Sequence, residues 1–336
     1  MLNNKSRETG YHLFVGVVMT VLVVMVVALM NPAMARSAEI EKIHFLIPGG
    51  AGGGWDGTAR GTGEALTKSG LIKSASYENM SGGGGGKAIA YLIETAKRQQ
   101  GTLMVNSTPI VIRSLTKVFP QSFRDLVPIA SIIADYAAFV VPADSEFTDW
   151  KQVVEAFLKD PKSIKVAGGS VRGSMDHLVA ALAFQAAGGD PKEVRYVPYD
   201  AGGKAMAGLL AGETQVLSTG FGEALELAKA GTVRILAITA DERVADAPDI
   251  PTLKELGYDA TFANWRGFFG APGLPDEKAK AYADLLKKMY DTPEWEVVRA
   301  RNGWVNLYKP GAEFYAFLEQ QEKIIGDLMR ELGFLK

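Results

Sequence analysis

Four glycine-rich loops, each set between a short apolar run and a helix-period segment, constrain this chain more than any other feature. In the first half, residues 43–47 are a short apolar run, the pattern of a strand buried in a parallel sheet. The run ends in Pro48-Gly49-Gly50-Ala51-Gly52-Gly53-Gly54-Trp55-Asp56, ahead of a helix reaching about Lys68. Residues 76–78 read as a second strand. Loop 81–86 follows, then a helix with Ile89, Leu92, Ile93 and Ala96 on one face. A third strand at 103–105 ends in Asn106-Ser107-Thr108-Pro109.

The second half repeats the plan after an amphipathic helix at 150–158. A strand at 163–167 ends in Gly168-Gly169-Ser170-Val171-Arg172-Gly173-Ser174-Met175-Asp176, and a helix runs to about Ala187. A strand at 194–198 leads through Tyr199-Asp200-Ala201-Gly202-Gly203 into another helix, with further strands at 216–219 and 234–239. Gly85-Gly86-Lys87-Ala88-Ile89-Ala90 resembles Gly202-Gly203-Lys204-Ala205-Met206-Ala207, and the two loops of each half lie 36 and 34 residues apart. Alternating strands and helices imply an α/β fold with a parallel sheet covered on both faces. Two such units in 336 residues read as two lobes. The C-terminal stretch reads as helical, with helices opening at Pro275-Asp276, at Pro293-Glu294 and at Gly311, and these are expected to pack back on one lobe.

Composition narrows the chemistry. The chain has no cysteine, which excludes disulfides, thiolate metal sites and a cysteine nucleophile. It has three histidines, His12, His44 and His177, too few for a histidine-built metal centre. Thirty-six basic residues balance 38 acidic ones, against nucleic acid as a partner. No metal and no cofactor are expected. Gly52, Gly54 and Gly57 satisfy a dinucleotide-type spacing, but Pro48 interrupts the strand-to-helix turn, and Ala88 stands where a phosphate-binding loop needs Ser or Thr after Lys87.

Glycine, 37 residues in all, is concentrated where strands end; 13 lie within 49–63 and 82–86. In α/β sheets, ligands sit outside the carboxyl ends of strands. There helix N-termini offer backbone N–H groups and partial positive charge, so the loops read as backbone-built anion sites. Asp56 and Asp176 hold equivalent places early in two helices and are expected to accept bonds from backbone N–H groups. His177 is expected to pack or bond to backbone. An exported hydrolase or lyase working through Asp56, Asp176 and His177 on a small carboxylate is the competing class, and a structural module the third. Trp55, Tyr136, Phe221 and Trp265 are candidates to line a cleft.

The N-terminus reads as an export signal. Lys5 and Arg7 precede an uncharged apolar run at 13–30, then Pro32 and the small residues Ala33 and Ala35, with cleavage expected after Ala35. The alternative is an uncleaved anchor, because 18 apolar residues nearly span a bilayer.

Several segments resemble the tripartite tricarboxylate transporter substrate-binding proteins, the TctC or Bug family, and within it the tricarboxylate-binding branch. They are Ile47 to Arg60, Glu78 to Gly86, Ala167 to Ser170, Asp176-His177-Leu178, Pro198-Tyr199 to Leu210, Asp249 to Glu255 and Asn264-Trp265-Arg266-Gly267. The resemblance covers essentially the whole mature chain. It departs at the second loop, where relatives commonly read Pro-Gly-Ala-Gly-Gly and this chain has Met80-Ser81-Gly82-Gly83-Gly84-Gly85.

The resemblance implies a two-lobed periplasmic binding protein of the Venus-flytrap kind, with lobe 1 at 36–138 and 262–336 and lobe 2 at 139–261. It implies a monomeric, periplasmic, non-enzymatic receptor. Such a receptor closes on a di- or tricarboxylate, citrate-like acids first, and delivers it to a membrane permease. The first lobe would offer Ala51, Gly52, Gly53, Gly54, Trp55, Asp56, Ser81, Gly82 and Gly83, with Asn106, Ser107 and Thr108 as further donors. The second would offer Gly169, Ser170, Ser174, Ala201, Gly202, Gly203, Thr219 and Phe221.

Overall fold

In the computed structural model every glycine loop lies where a strand hands over to a helix. The structure describes residues 40–245 and 247–336, and Ile40–Lys336 form one compact unit. The export signal expected at 1–35 lies outside the described residues. The chain runs β1 (Lys42–Ile47), α1 (Gly54–Lys68), β2 (Ser74–Asn79), α2 (Gly86–Glu94), β3 (Thr102–Ser107) and α3 (Thr108–Thr116). A 16-residue strand, β4 (Val127–Pro142), and α4 (Trp150–Lys159) lead to the second run. That run is β5 (Lys165–Gly168), α5 (Met175–Ala186), β6 (Arg195–Pro198), α6 (Gly202–Leu210), β7 (Val216–Gly220), α7 (Phe221–Lys229) and β8 (Val233–Ile238). The chain closes with β9 (Ala263–Gly270), α8 (Asp276–Met289), α9 (Pro293–Arg301), β10 (Val305–Pro310) and α10 (Gly311–Glu331).

The repeat seen in the residues is a repeat in space. β1 pairs in parallel with β2 and β3, and β5 pairs in parallel with β6 and β7. The order β2-β1-β3 is thus copied as β6-β5-β7. What joins the two is antiparallel: β9 lies between β3 and β4, and β4 changes partners along its length. Residues 127–136 of β4 pair with β9, while 137–140 pair with β7 and 138–142 with β8. Each half-sheet is mainly parallel, and the strands that run against it are those near the junction.

β4 carries no alternating pattern because nearly all of it is buried on both faces. Behind it, the Trp150 ring of α4 packs at a tilt on Phe139 at 4.3 Å and on Phe184 at 5.3 Å, closing the core of the second half. The C-terminal helices pack on β4, α1 and α3. Past α10, Phe334 meets His177 of α5 edge-on at 4.8 Å, so the chain's end also touches the second half. A tenth strand, β10, interrupts the helical stretch and adds to the free side of β4. Among the described residues no helix is long and apolar enough to cross a membrane.

Candidate functional site

Six helices begin at one cavity. Its walls include Gly53, Gly54 and Trp55 at the start of α1, Ser81 to Gly85 before α2, and Ser107, Pro109 and Arg113 at and within α3. From the other half come Gly169, Ser170, Met175 and Asp176 around the start of α5, Ala201 and Gly202 at α6, and Glu223 in the first turn of α7. The N-caps of these helices are Gly53, Gly85, Ser107, Ser174, Ala201 and Gly220, and none makes a side-chain capping bond. Of the four helices that start elsewhere, α4 and α9 are capped by Asp149 and Thr292, while α8 and α10 follow Pro275 and Pro310 without a side-chain cap. Uncapped first turns leave donors and positive dipole ends for a ligand, although at α3, α5 and α7 one first-turn N–H is already given to Asn264, Ser170 and Asp135. The cavity holds about 190 Å³, less than the roughly 300–1,000 Å³ of drug-sized sites, which suits a small solute.

The two halves touch across it. The Ser81 hydroxyl donates to Asp200, and a Cβ on Gly53 would stand 3.3 Å from that of Ala201. A Cβ on Gly203 would lie 3.4 Å from the carbonyls of Ala51 and Gly52. Within the second half, Gly169 makes the closest approach to main chain: a Cβ there would fall 2.2 Å from the Gly202 nitrogen. Backbone cannot give way as a side chain end can. Gly169→Ala is therefore expected to cost about 1–3 kcal/mol, measured as a lower urea midpoint at unchanged slope. An unchanged midpoint would mean that β5 and α6 can part freely.

Of the candidate residues, Gly53, Gly54, Trp55, Ser81, Gly82, Gly83, Ser107, Gly169, Ser170, Ala201 and Gly202 line the cavity. Ala51, Gly52 and Gly203 face one another beside it. The others stand behind the wall. Asp56 accepts from the Gly52 N–H at 3.1 Å, from Arg60 at 2.8 Å and from Asn79 at 3.0 Å. Asn106 is buried, its Oδ1 accepting from the Ser107 N–H, and the Thr108 N–H donates to Asn264 at 3.3 Å. The Ser174 hydroxyl accepts from Arg113 at 3.1 Å, and the Thr219 hydroxyl donates to Glu223 at 3.1 Å. Phe221 and Trp265 are core residues, and Trp55 reaches the cavity with its indole N–H donating to Ser107 at 2.8 Å. His177 accepts from the Gly173 N–H at 3.0 Å and stacks on Tyr196 at 4.7 Å, and burial pulls it down to about 4.

Sequence reasoning missed the charged lining. Arg113 is buried, and burial lowers it to about 10. Its Nη1 donates to the carbonyls of Gly84 (2.6 Å) and Gly83 (3.3 Å), and its Nη2 to Ser174 across the cavity. Gly82 to Gly85 all have positive φ, and a Cβ on Gly84 would overlap the guanidinium. The run of glycines therefore wraps around an arginine, as only glycine can. Arg266, on β9, is buried at 2% exposure and donates to Asp135 at 2.6 Å and to Thr58 at 3.2 Å. It stands 3.7 Å from Glu223, and its Nε has no hydrogen-bond partner among the described residues. Burial raises Asp135, raises Asp176 to about 6 and raises Glu223 to about 8. Asp176 is held by Ser170 and by the backbone N–H groups of Gly169 and Ser170, the role expected of it. One signal for Arg113 was available: a single charge in the apolar helix text Ile110-Val111-Ile112-Arg113.

Known proteins resemble this chain in sequence and in fold. A 28% identical relative over 258 residues is the UPF0065 protein in the tcbD-tcbE intergenic region of Pseudomonas sp. strain P51, covering 75% of this chain and 74% of that one. Among solved structures, the periplasmic binding protein BugD superposes with a TM-score of 0.78 at 20% identity, over 87% of this chain and 97% of BugD. MatC of Rhodopseudomonas palustris, solved with bound malate, gives 0.74 at 19% identity, over 85% and 98%. Both likenesses show the periplasmic binding protein fold. The family model described as the tripartite tricarboxylate transporter family receptor matches residues 59–334, and the chain belongs to that family of solute-binding receptors, TctC.

Proposed function

We propose that this receptor captures a small di- or tricarboxylate, with citrate-like acids as the first candidates, and hands it to a tripartite tricarboxylate transporter permease. The observation that carries the reading is the convergence of six uncapped helix N-termini and Arg113 on one small cavity. Backbone N–H groups read a carboxylate without regard to what it is attached to. Arg113 adds a full positive charge and a planar fork. The bound malate of MatC supports small hydroxy acids as the class to test. The candidate residues that line the cavity are proposed as its contacts, with Arg113 added to them.

We further propose lobes at 36–138 with 262–336 and at 139–261. The change of partner along β4, and the bond from the Phe262 N–H back to the Thr239 carbonyl, support hinges at those points. Closing the lobes on the ligand would create the shape that a permease reads. An export signal cleaved after Ala35 would deliver the monomer to the periplasm. Binding without turnover is proposed over hydrolysis or lysis, because His177 is bonded to backbone and sandwiched by rings rather than facing the cavity.

A thermal-shift panel of citrate, malate, succinate and adipate tests the reading. Ligand at about 100 times Kd adds about 2.7 kcal/mol, roughly 5 °C for a chain of this size. If no acid in the panel moves the melting temperature, the carboxylate reading is wrong. If an acid is consumed by the purified protein, the enzymatic reading replaces it.

A further inference from the structure

The cavity carries a charge imbalance that the ligand makes worse. Asp176 and Glu223 line it, and Asp135 stands fully buried behind Arg266. Against these three carboxylates stand two guanidiniums, Arg113 and Arg266. With every group ionised, the closed cleft is already negative before an acid enters. Asp200, at its edge, is balanced by Lys204 at 3.3 Å. Glu223 is wedged between the halves: a Cβ on Gly54 would lie 2.8 Å from its Oε1, and one on Gly202 would overlap its Oε2. Glu223 therefore has no room to swing away from an incoming anion, and Asp176 is tied to Gly169 and Ser170. Arg266 also has donor capacity left over, because its buried Nε is unpartnered.

Among the described residues the surroundings offer no further cation. Facing Glu223 are Arg266 from β9, Asp135 from β4 and Asp176 from α5. β7, preceding its helix, brings only the Thr219 hydroxyl. α1 and α9, packed on α7, pair Asp56 with Arg60, Glu64 with Arg301 and Glu296 with Arg299. Arg234 of β8 donates to the carbonyls of Phe147 and Ala143. Asp176 faces Arg266 and the hydroxyl of Tyr196. α3, packed on α5, brings Arg113, while Lys192 and Glu193 of the turn beside α5 are exposed.

Resting on the carboxylate reading above, we propose that capture of the anion takes up a proton, held by the Asp176–Glu223 pair in the wall of the cleft. A second anion nearby disfavours the charged form of a carboxyl group. The ligand thus raises the proton affinity of both acids, and by linkage protons raise the affinity for the ligand. Burial has already moved Asp176 to about 6 and Glu223 to about 8. Asp176 accordingly serves the lower part of the neutral range and Glu223 the upper. The sign follows: affinity is greatest at the acid end of this window and declines as pH rises through it.

The test is isothermal titration of the whole protein with citrate, malate, succinate and adipate between pH 6.5 and 8.5, in paired buffers of different ionisation enthalpy. The proposal expects heats that depend on the buffer, in the sense of proton uptake. It also expects affinity to fall with pH, by at most about tenfold per pH unit for one proton. Glu223→Gln, which keeps the shape, is expected to flatten the upper part of the decline. Binding with buffer-independent heat and flat affinity overturns the proposal and leaves the carboxylate reading standing. If neither these four acids nor aspartate binds at any pH, the carboxylate reading falls and the proposal with it. If aspartate binds without proton uptake while the four plain acids do not bind, an ammonium meets the two carboxylates, and the proposal is overturned.

Discussion

Replacing Arg113 with methionine is expected to weaken carboxylate binding by about 2–5 kcal/mol, some 30-fold to several thousand-fold. Two effects add. The ligand loses the cavity's one cation that is not already held by a carboxylate, since Arg266 bonds Asp135 at 2.6 Å. The loop also loses its anchor: Gly82 to Gly85, all at positive φ, are tied down by the two carbonyl bonds to Arg113. Methionine keeps much of the volume and so leaves the packing of α3 largely intact. Unfolding in urea is expected to change little, because removing a buried guanidinium also removes its desolvation cost. Lysine should recover only part of the affinity, for it lacks the planar fork. Titration of each variant with the acid that wild type binds decides the matter. A change of threefold or less for Arg113→Met would remove this side chain from the site.

Arg266→Met is expected to destabilise the fold by about 3–5 kcal/mol at alkaline pH, the usual cost of stranding a buried partner. Asp135 is fully buried, and its carboxylate has Arg266 and the Gly222 N–H as partners. Glu223, 3.7 Å from the guanidinium, loses its nearest positive charge too. The loss should depend on pH. Burial holds both acids above their unfolded values of about 3.9 and 4.3. Protonation therefore favours the folded state: the penalty is absent below the unfolded values and grows as pH rises through the raised folded ones. Urea unfolding of wild type and variant at pH 5 and pH 8.5 reads this directly, with the larger gap expected at pH 8.5. An equal gap at both would mean that packing, not charge, is what Arg266 supplies.

How much of this was legible in the residues follows from what local spacing can encode. The alternation of strand and helix, the paired loops and the backbone-bonding role of Asp56 and Asp176 early in their helices were readable, because each depends on residues a few positions apart. The N–H bonds that these two acids accept come from within seven positions of them, from Gly52 and from Gly169 and Ser170. β4 was not readable: with both faces buried it has no period, and the polar Asp135 in its middle argues against a strand. β10 was hidden in text that otherwise reads as helix.

The sequence by itself determined that helix N-termini and glycines would gather at strand ends, the setting in which backbone N–H groups can hold an anion. Only the tertiary structure decided which charges stand there. Arg113 meets Ser174 across 61 positions, and Arg266 meets Asp135 across 131. Contacts of that span are set by how β9 and β4 join the two half-sheets, which no local pattern records. The same joining brings Asp176 and Glu223 into one wall, turning a cleft that the glycines alone would make simply anion-binding into one where carboxyl groups and guanidiniums compete for the same small space.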